Sequence, residues 1–576
     1  MRIMKGRSAD PTYHVIHDIK RDGKRSTEII ENLGTASEIC KKYNVSDADA
    51  WAAEYVQKMR DEKKSKNHKI LIPFNSDIFI EKDKQLSFNA GYLFLQKIYH
   101  SLGLPYICSK IKKDNSFEFD LDAVLSRLVY GRILYPSSKL SCYEQSKELI
   151  EQPGFELHHI YRALSVLASN SDFIQAELYK RSSKVIKRKT GVLFYDCTNF
   201  FFELEQESGL KQYGVSKEHR PNPIVQMGLL MDRSGIPLAF CINPGAQNEQ
   251  VSLKPLEKQI MKDFELSRFV ICTDAGLSSD ANRKFNNFGE RSFITTQSIK
   301  KLGKELKEWC LDSKDWQLEG SDTRYDISEL EDTDDNRNKL FFKQKYIEGY
   351  DEERDISFNQ TLIVTYSLKY KNYQQTLRAA QIERAKKYLA HPSAYDRHSQ
   401  TDAKRLIKKT TLTTDGEIAS RSVYEIDEKT ISEEAIYDGF YAVCTNLDDD
   451  PADIARINRD RWEIEESFRI MKTEFEARPV FLQRDDRIEA HFLTCFIALM
   501  IYRILEKQLK EEYTCDELIT TLRKMNMRKI DGHGYIPCYK RTDITDALHK
   551  NAGFHTDYEL LTSKTMAGII RRSKGL

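Results

Sequence analysis

The sequence lacks most of the features that would settle a function at a glance. Its eleven cysteines include no C-x-x-C pair and no Cys/His set at zinc spacing, which argues against a structural zinc. Scattered thiols, odd in number, in a long chain read as reduced cysteines in a cytoplasmic protein. The opening residues, MRIMKGRSADPTYH, hold no apolar signal region. The longest mostly apolar stretch, Phe492 to Leu505, is fourteen residues, too short to span a bilayer and suited to a buried helix, so no membrane is expected. With 25 glycines and 14 prolines there is no collagenous or Pro-rich tract, and no internal repeat is visible. Charge of one sign is missing too: 89 Lys plus Arg stand against 88 Asp plus Glu, a net charge of +1. That excludes a protein that coats DNA by bulk charge, but not local basic patches.

What is present is a globular composition: 576 residues, 40% apolar, 31% charged and 11% aromatic. The length suits about three or four domain-sized units. Tyr13 to Leu33 alternates around Arg21-Asp22-Gly23, a hairpin signal, and Thr35 to Asn67 reads as helical. Ala90–Leu102, Leu121–Leu134, Ser138–Ile150, Leu157–Ala168 and Phe173–Ile186 carry apolar residues at helical steps. The period then changes. Gly191–Phe202, Ile224–Met231, Pro237–Ile242, Arg268–Thr273 and Arg291–Thr296 read as strands, with helices at Val251–Phe264 and Ser278–Phe288. This predicts an α/β fold with a mixed sheet. Residues 298–438 break the rhythm and read as an inserted β-rich subdomain, with strand-like pieces at Lys339–Lys345, Thr361–Tyr366 and Ala419–Ile426 and a helical run at Tyr373–Ala390. Tyr437–Thr445 returns to strand, Asp453–Glu474 reads as one long helix, and the apolar helix at 492–509 follows. The expected units are 1–70 (hairpin plus helix), 71–189 (helical, DNA-binding or dimerising), 190–297 (core, first part), 298–438 (insertion), 439–510 (core, second part) and 511–576 (C-terminal helices).

Two aspartates lie where α/β sites form. Asp196 interrupts the apolar strand VLFYDCT, and a carboxylate there needs a cationic partner; Asp274 closes VICTDAG at its carboxyl end. An aspartate after a strand is more often a cap, but two at one sheet edge suggest a shared metal. In RWEIEESFRIMK the helical spacing puts Arg461, Glu465 and Lys472 on one face. A solvated salt-bridge face accounts for Arg461–Glu465, less well for the continuation into Phe468.

Together Asp196-Cys197-Thr198, Asp274-Ala275-Gly276 and Arg461-x-x-x-Glu465-x-x-x-x-x-x-Lys472 resemble the insertion-sequence DDE transposases. The resemblance is to the branch with a Y-x-x-R-x-x-x-E-x-x-x-x-x-x-K signature, insertion-sequence family four in the broad sense. The segments Gly214-Val215-Ser216-Lys217-Glu218-His219-Arg220, Gln226-x-Gly228 and Asp232-x-x-Gly235-x-Pro237-Leu238 look like the same family, as does Phe481 after KTEFEARPV. The likeness covers roughly residues 190–500. At one place the chain departs from it: Asn458 stands where the signature has Tyr, and Asn can still hydrogen-bond.

The resemblance implies a ribonuclease H-like core with Asp196 on the first strand, Asp274 after the fourth, and Glu465 on a helix beyond a β-rich insertion. It implies two Mg²⁺ (or Mn²⁺) ions about 3.5–4 Å apart, held by Asp196, Asp274 and Glu465. Arg461 and Lys472 are implied as phosphate contacts, with Lys217, Arg220 and Asn458 near the DNA. The implied partners are double-stranded DNA, at the element's terminal inverted repeats and at the target, and a second copy in an active homodimer, in a bacterial cytosol or nucleoid. The implied activity is cleavage and strand transfer. A nuclease of the same fold without strand transfer, and a decayed DNA-binding protein, are the alternatives. Elsewhere, Thr376 to Lys409 holds nine Lys or Arg against three acids, which suits DNA or simply a solvated face. The 157–186 helices suit a helix-turn-helix pair or plain packing. Trp309 and Trp316 suit base stacking or, more often, small-core anchors.

Overall fold

The computed structural model describes residues 1–21, 24–67, 70–351, 356–389, 403–412 and 421–576. The chain divides into two compact units, Met1–Lys84 and Gln85–Leu576. In the first, β1 (Arg2–Lys5), β2 (Thr12–Arg21) and β3 (Lys24–Thr35) form an antiparallel sheet. The Asp22-Gly23 turn lies outside the described residues, and the strands pair up to its edge, Arg21 opposite Lys24. Helices α1 (Ala36–Tyr43) and α2 (Ala48–Asn67) follow. A Thr35/Glu38 capping box starts α1, and Tyr13, Ile39, Ala48 and Ala52 form the core.

The second unit opens with β4 (Ser87–Asn89) and six helices: α3 (Tyr92–Ser101), α4 (Leu104–Asp114), α5 (Leu121–Leu134), α6 (Lys139–Ser146), α7 (Leu157–Ser169) and α8 (Ser171–Val185). Gly103, at a φ of +68°, parts α3 from α4, and Pro105 sits in the first turn of α4, where a proline loses no hydrogen bond. Then come β5 (Val192–Phe201), β6 (Ile224–Asp232), β7 (Pro237–Pro244), α9 (Leu253–Asp263), β8 (Phe269–Thr273), α10 (Asp280–Phe285) and β9 (Arg291–Thr296). The stretch read as an insertion supplies α11 (Lys304–Leu311), β10 (Gln317–Leu318), α12 (Asp334–Arg337), β11 (Phe341–Asp351), β12 (Ile356–Tyr366), α13 (Leu368–Leu389), β13 (Ile407–Leu412), β14 (Arg421–Ile426) and α14 (Glu428–Ala435). After it come β15 (Phe440–Thr445), α15 (Pro451–Arg459), α16 (Trp462–Thr473) and α17 (Asp485–Gln508). A tail of α18 (Cys515–Lys524), β16 (Asn526–Ile530), β17 (Gly534–Pro537), α19 (Asp543–Ala552), β18 (Leu561–Thr562) and α20 (Ser563–Ser573) closes the unit.

A nine-stranded mixed sheet organises this unit, in the order β10-β11-β12-β15-β9-β8-β5-β6-β7. The insertion is therefore not a separate sheet. Its strands β10 to β12 extend the central one through the β12–β15 pairing, and only β13 and β14 pair apart. Along β5, Phe194 and Phe200 join the core beneath α16 and α17, while Leu193, Tyr195 and Cys197 join the core on the other side, with α9. That is the two-residue alternation of a strand buried on both faces. Helix α17 is long and apolar enough, by length and composition, to cross a membrane, yet its apolar window is 94% buried against the sheet and helices.

The single helix expected over Asp453–Glu474 is two, α15 and α16, parted at Asp460 and Arg461. Two glycines of the resembling segments are explained by what surrounds them. A Cβ on Gly228 would lie 2.2 Å from the Tyr195 hydroxyl. Gly235 has a φ of +73° beside Arg503 and Glu463, a turn conformation that L side chains rarely adopt.

Candidate functional site

Strands β5 and β8 run parallel, and each pair in their register is 78 residues apart, Val192 with Val270 through Phe194 with Cys272. Asp274 is 78 residues beyond Asp196, so the two aspartates stand at one level, Asp274 just past the end of its strand. Strand alternation puts Asp196 on the Phe194 face and Asp274 on the Cys272 face, which is the same face, toward α16 and α17.

The Asp196 carboxylate accepts the Cys197 N–H at 2.8 Å. Burial, helped by Asp274, pushes it up to about 6, against the pull of Lys217, Arg461 and that N–H. Asp274 accepts the N–H groups of Gly276 and Leu277 at 2.9 and 3.1 Å, which fixes the turn after β8. Glu465 lies in the first turn of α16 and is exposed, 3.2 Å from the largely covered Arg461. Burial works against the Arg461 charge, but Asp196, Glu465, Tyr441 and Asp274 outweigh it and hold its pKa above the ordinary value. One guanidinium thus answers all three carboxylates. The three carboxylates do not close into a tight cage. Among the described residues, the set of three metal-capable groups whose ligand atoms all lie within 4.8 Å of one another is a different one, His549, His555 and Asp557. There the Thr556 N–H donates to His549 Nε2, and Asp557 lies 3.6 Å from His549 Nδ1 and 3.1 Å from His555 Nδ1.

Lys217 donates to the Cys197 carbonyl and sits 3.4 Å from Glu249. Burial lowers its pKa, but Asp196 and Glu249 raise it further. Lys472 is 3.5 Å from Glu218 and 5.7 Å from the Phe200 ring centre; burial and the nearby Lys217 push it down to about 8. Arg220 lies half-exposed over the Phe201 ring. Asn458, which the resemblance puts near the DNA, lines the cleft beside Glu465. It is 5% exposed, donates to the Tyr441 hydroxyl at 2.9 Å and accepts from Cys272 Sγ. Both ends of its amide are used inside the protein, tying α15 to β15 and β8.

Trp316 is a core anchor, fully buried, with its ring N–H donated to the Asp312 carbonyl. The ring of Trp309 is overlain by Lys343 and Lys345. Of the basic stretch 376–409, Arg378 pairs with Asp438, Lys386 with Glu383, Arg405 with Glu434 and Lys408 with Glu425; residues 390–402 lie outside the described part. Helix α7 packs on α17 and α5, and α8 on β7 and α9. Tyr441, Glu218, Glu249 and Arg478 were missed as site residues. Only Glu218 carried a signal, its place between Lys217 and Arg220. Beside Glu465 opens a cleft of about 650 Å³ whose walls include Arg461, Lys339, Lys369, Arg459, Tyr370 and Tyr373. Cations and aromatic rings around one carboxylate suit a polyanion with flat bases.

A family model described as a transposase DDE domain matches residues 192–501, more than half of the 576. No curated protein matches the chain. Among solved structures the chain is similar to a piggyBac transposase synaptic complex with hairpin DNA, at 9% identity, covering 84% of each chain with a TM-score of 0.35, a likeness too slight to carry anything further.

Proposed function

Because this chain belongs to the transposase DDE domain family and is a DNA transposase, we propose that it cuts and rejoins DNA at the ends of its own element, with Asp196, Asp274 and Glu465 as the reacting site. One observation carries the reading: two aspartates level on neighbouring parallel strands face the helix that bears Glu465, and Arg461 answers all three. In this reading the core is ribonuclease H-like, and Arg461, Glu465 and Lys472 belong to the insertion-sequence-four branch, with Asn458 in the place of its Tyr.

The donor set fits divalent ions. Three carboxylates give the oxygen ligands that Mg²⁺ or Mn²⁺ prefer, and Lys217 and Arg461 pull the buried Asp196 toward its charged form. When bound, two such ions supply Lewis acidity for in-line displacement at phosphorus. The protein's own groups do the rest. Asp196 and Asp274 are fixed by backbone N–H groups, so the ligand oxygens are pre-aimed. Arg461 holds a phosphate oxygen beside the cut once its charge is no longer needed by the carboxylates. Lys472 and Lys217 hold the strand further along, and Arg220, at the rim, adds positive charge to the approach. Tyr370 and Tyr373 offer exposed rings to bases leaving the stack next to Glu465. A homodimer holding two ends, in a cytoplasm, completes the proposal.

The test uses a duplex carrying the inverted repeats that flank the gene, with a supercoiled target plasmid. Cleavage and joining of the 3′-hydroxyl end in Mg²⁺, absent in EDTA and in Asp196→Asn, is the expected result. Cutting without joining would indicate a nuclease, and end-binding without metal-dependent cutting would sink the assignment of the three carboxylates.

A further inference from the structure

We propose that Glu218 is a built-in stand-in for a DNA phosphate: in the free protein it occupies a cationic cradle made by Lys472, Arg478 and Arg220, and an incoming strand displaces it. The inference rests on the transposase reading and adds to it a residue that acts against binding.

The cradle is built on the end of the strand that carries Asp196. Lys472 lies over the Phe200 ring at 5.7 Å, and Arg220 and Arg478 over the Phe201 ring at 4.1 and 6.0 Å. All three turn their charge to one carboxylate: Lys472 at 3.5 Å from Glu218, Arg220 at 3.9 Å, and Arg478 against the same oxygen as Lys472. Three cations around one anion leave positive charge over. A carboxylate and a phosphodiester present the same chemistry to them, a monoanion with two equivalent oxygens.

Glu218 sits on a loop, not on a strand or helix. Its backbone N–H donates to Ser216 Oγ at 3.3 Å, and the next residue, His219, has a φ of +55°. Lys217 reaches the Cys197 carbonyl and Glu249, and the Arg220 N–H donates to Ser216 Oγ, so the Glu218 side chain can swing out by its own rotamers while the loop backbone and Lys217 stay in place. Lys472 is seven residues past Glu465 on α16, about 10 Å along the helix axis, or roughly three base steps of duplex. The cradle is therefore placed for a phosphate beyond the scissile one.

A fluorescein-labelled blunt duplex with free 3′-hydroxyls, titrated in Ca²⁺ across a range of salt, tests this, because a phosphate contact is blind to sequence. Glu218→Gln keeps the side chain's size and removes its charge. The expected result is binding about five- to tenfold tighter at low salt. The fall of affinity with salt should also steepen, since the freed cations now release solution anions when DNA arrives. Adding Arg478→Gln should erase the gain. Unchanged or weaker binding by a variant that melts like the wild type overturns the inference. So does a gain that survives Arg478→Gln, which would be general charge relief. If Glu218→Gln does not fold, Glu218→Asp draws the same charge back from the cradle; it should bind tighter than wild type, and equal affinity overturns the inference. Wild type that binds while Glu218→Gln gains nothing refutes the stand-in alone. Failure of both proteins to bind any duplex refutes the transposase reading with it.

Discussion

Burial, helped by Asp274, pushes Asp196 up to about 6, so under the proposed function its ionisation accompanies metal loading. A ligand carboxylate must shed its proton, and loading therefore releases protons. Mg²⁺-dependent cleavage should fall away as pH drops through about 6 and be restored in part by more Mg²⁺; a pH–rate profile at two metal concentrations checks this. Asp196→Asn, Asp274→Asn and Glu465→Gln should each abolish cleavage while leaving end-binding nearly intact, because affinity comes from Lys and Arg. Near wild-type cutting by any of the three would remove that residue from the site. Lys472→Ala should flatten the salt dependence of end-binding by roughly one unit of slope. An ordinary surface lysine would instead change stability by less than about 0.5 kcal/mol and leave DNA binding alone. Asn458 shows what spacing leaves unread: its amide bonds to Tyr441 and Cys272, partners that only the fold could bring near.

At the scale of elements, α16 is held where it is by a buried ion network. Arg503 on α17 meets Glu463 on α16, Glu506 at 2.6 Å and the Gly235 carbonyl at 3.0 Å, while Lys507 reaches Glu463 at 3.3 Å. Arg503→Met leaves Glu463 without its main partner and should cost about 3–5 kcal/mol, read by chemical denaturation. Glu257 on α9 tests a different element. Burial pushes it up to about 8, although Asn286 donates to it at 2.9 Å. A carboxylate raised in the folded state favours folding while protonated, and that contribution is lost as pH rises from about 4.5 to 8. Glu257→Gln should therefore gain on the wild type across that window, as melting curves at several pH values will show. The elements themselves were largely legible. Leu121–Leu134 was read to the residue, and β5 to β9 lie where the two-residue alternation and the apolar runs put them. The break at Asp460 and Arg461 was not, because helical spacing continues across it and no Pro or Gly marks it. The site's two aspartates stood out as polar residues at the edge of apolar strands. Arg478 did not, because a surface-type charge in a loop carries no periodicity, and Glu218 had only its place between Lys217 and Arg220 to mark it.

At the scale of the molecule, the sheet joins segments far apart in the chain. Residues 298–438 read as an inserted β-rich subdomain because their polar, mixed composition differs from the core on either side. Composition cannot report that Leu362 pairs with Cys444, or that Cys444 pairs with Thr295. Those pairings have a consequence for any shortened form of the protein. Strand β15 has β12 on one side and β9 on the other, and its Ala442, Val443 and Cys444 are buried. Cutting out 298–438 and rejoining the ends would strip β15 of its outer neighbour, leaving a raw, apolar strand edge with unpaired N–H and C=O groups, the kind that recruits other chains. Such a miniature should precipitate or form β-rich oligomers on size-exclusion chromatography even with all three carboxylates intact. The same stretch is thus a splint as well as a cleft wall, because its strand β12 seals the outer edge of β15.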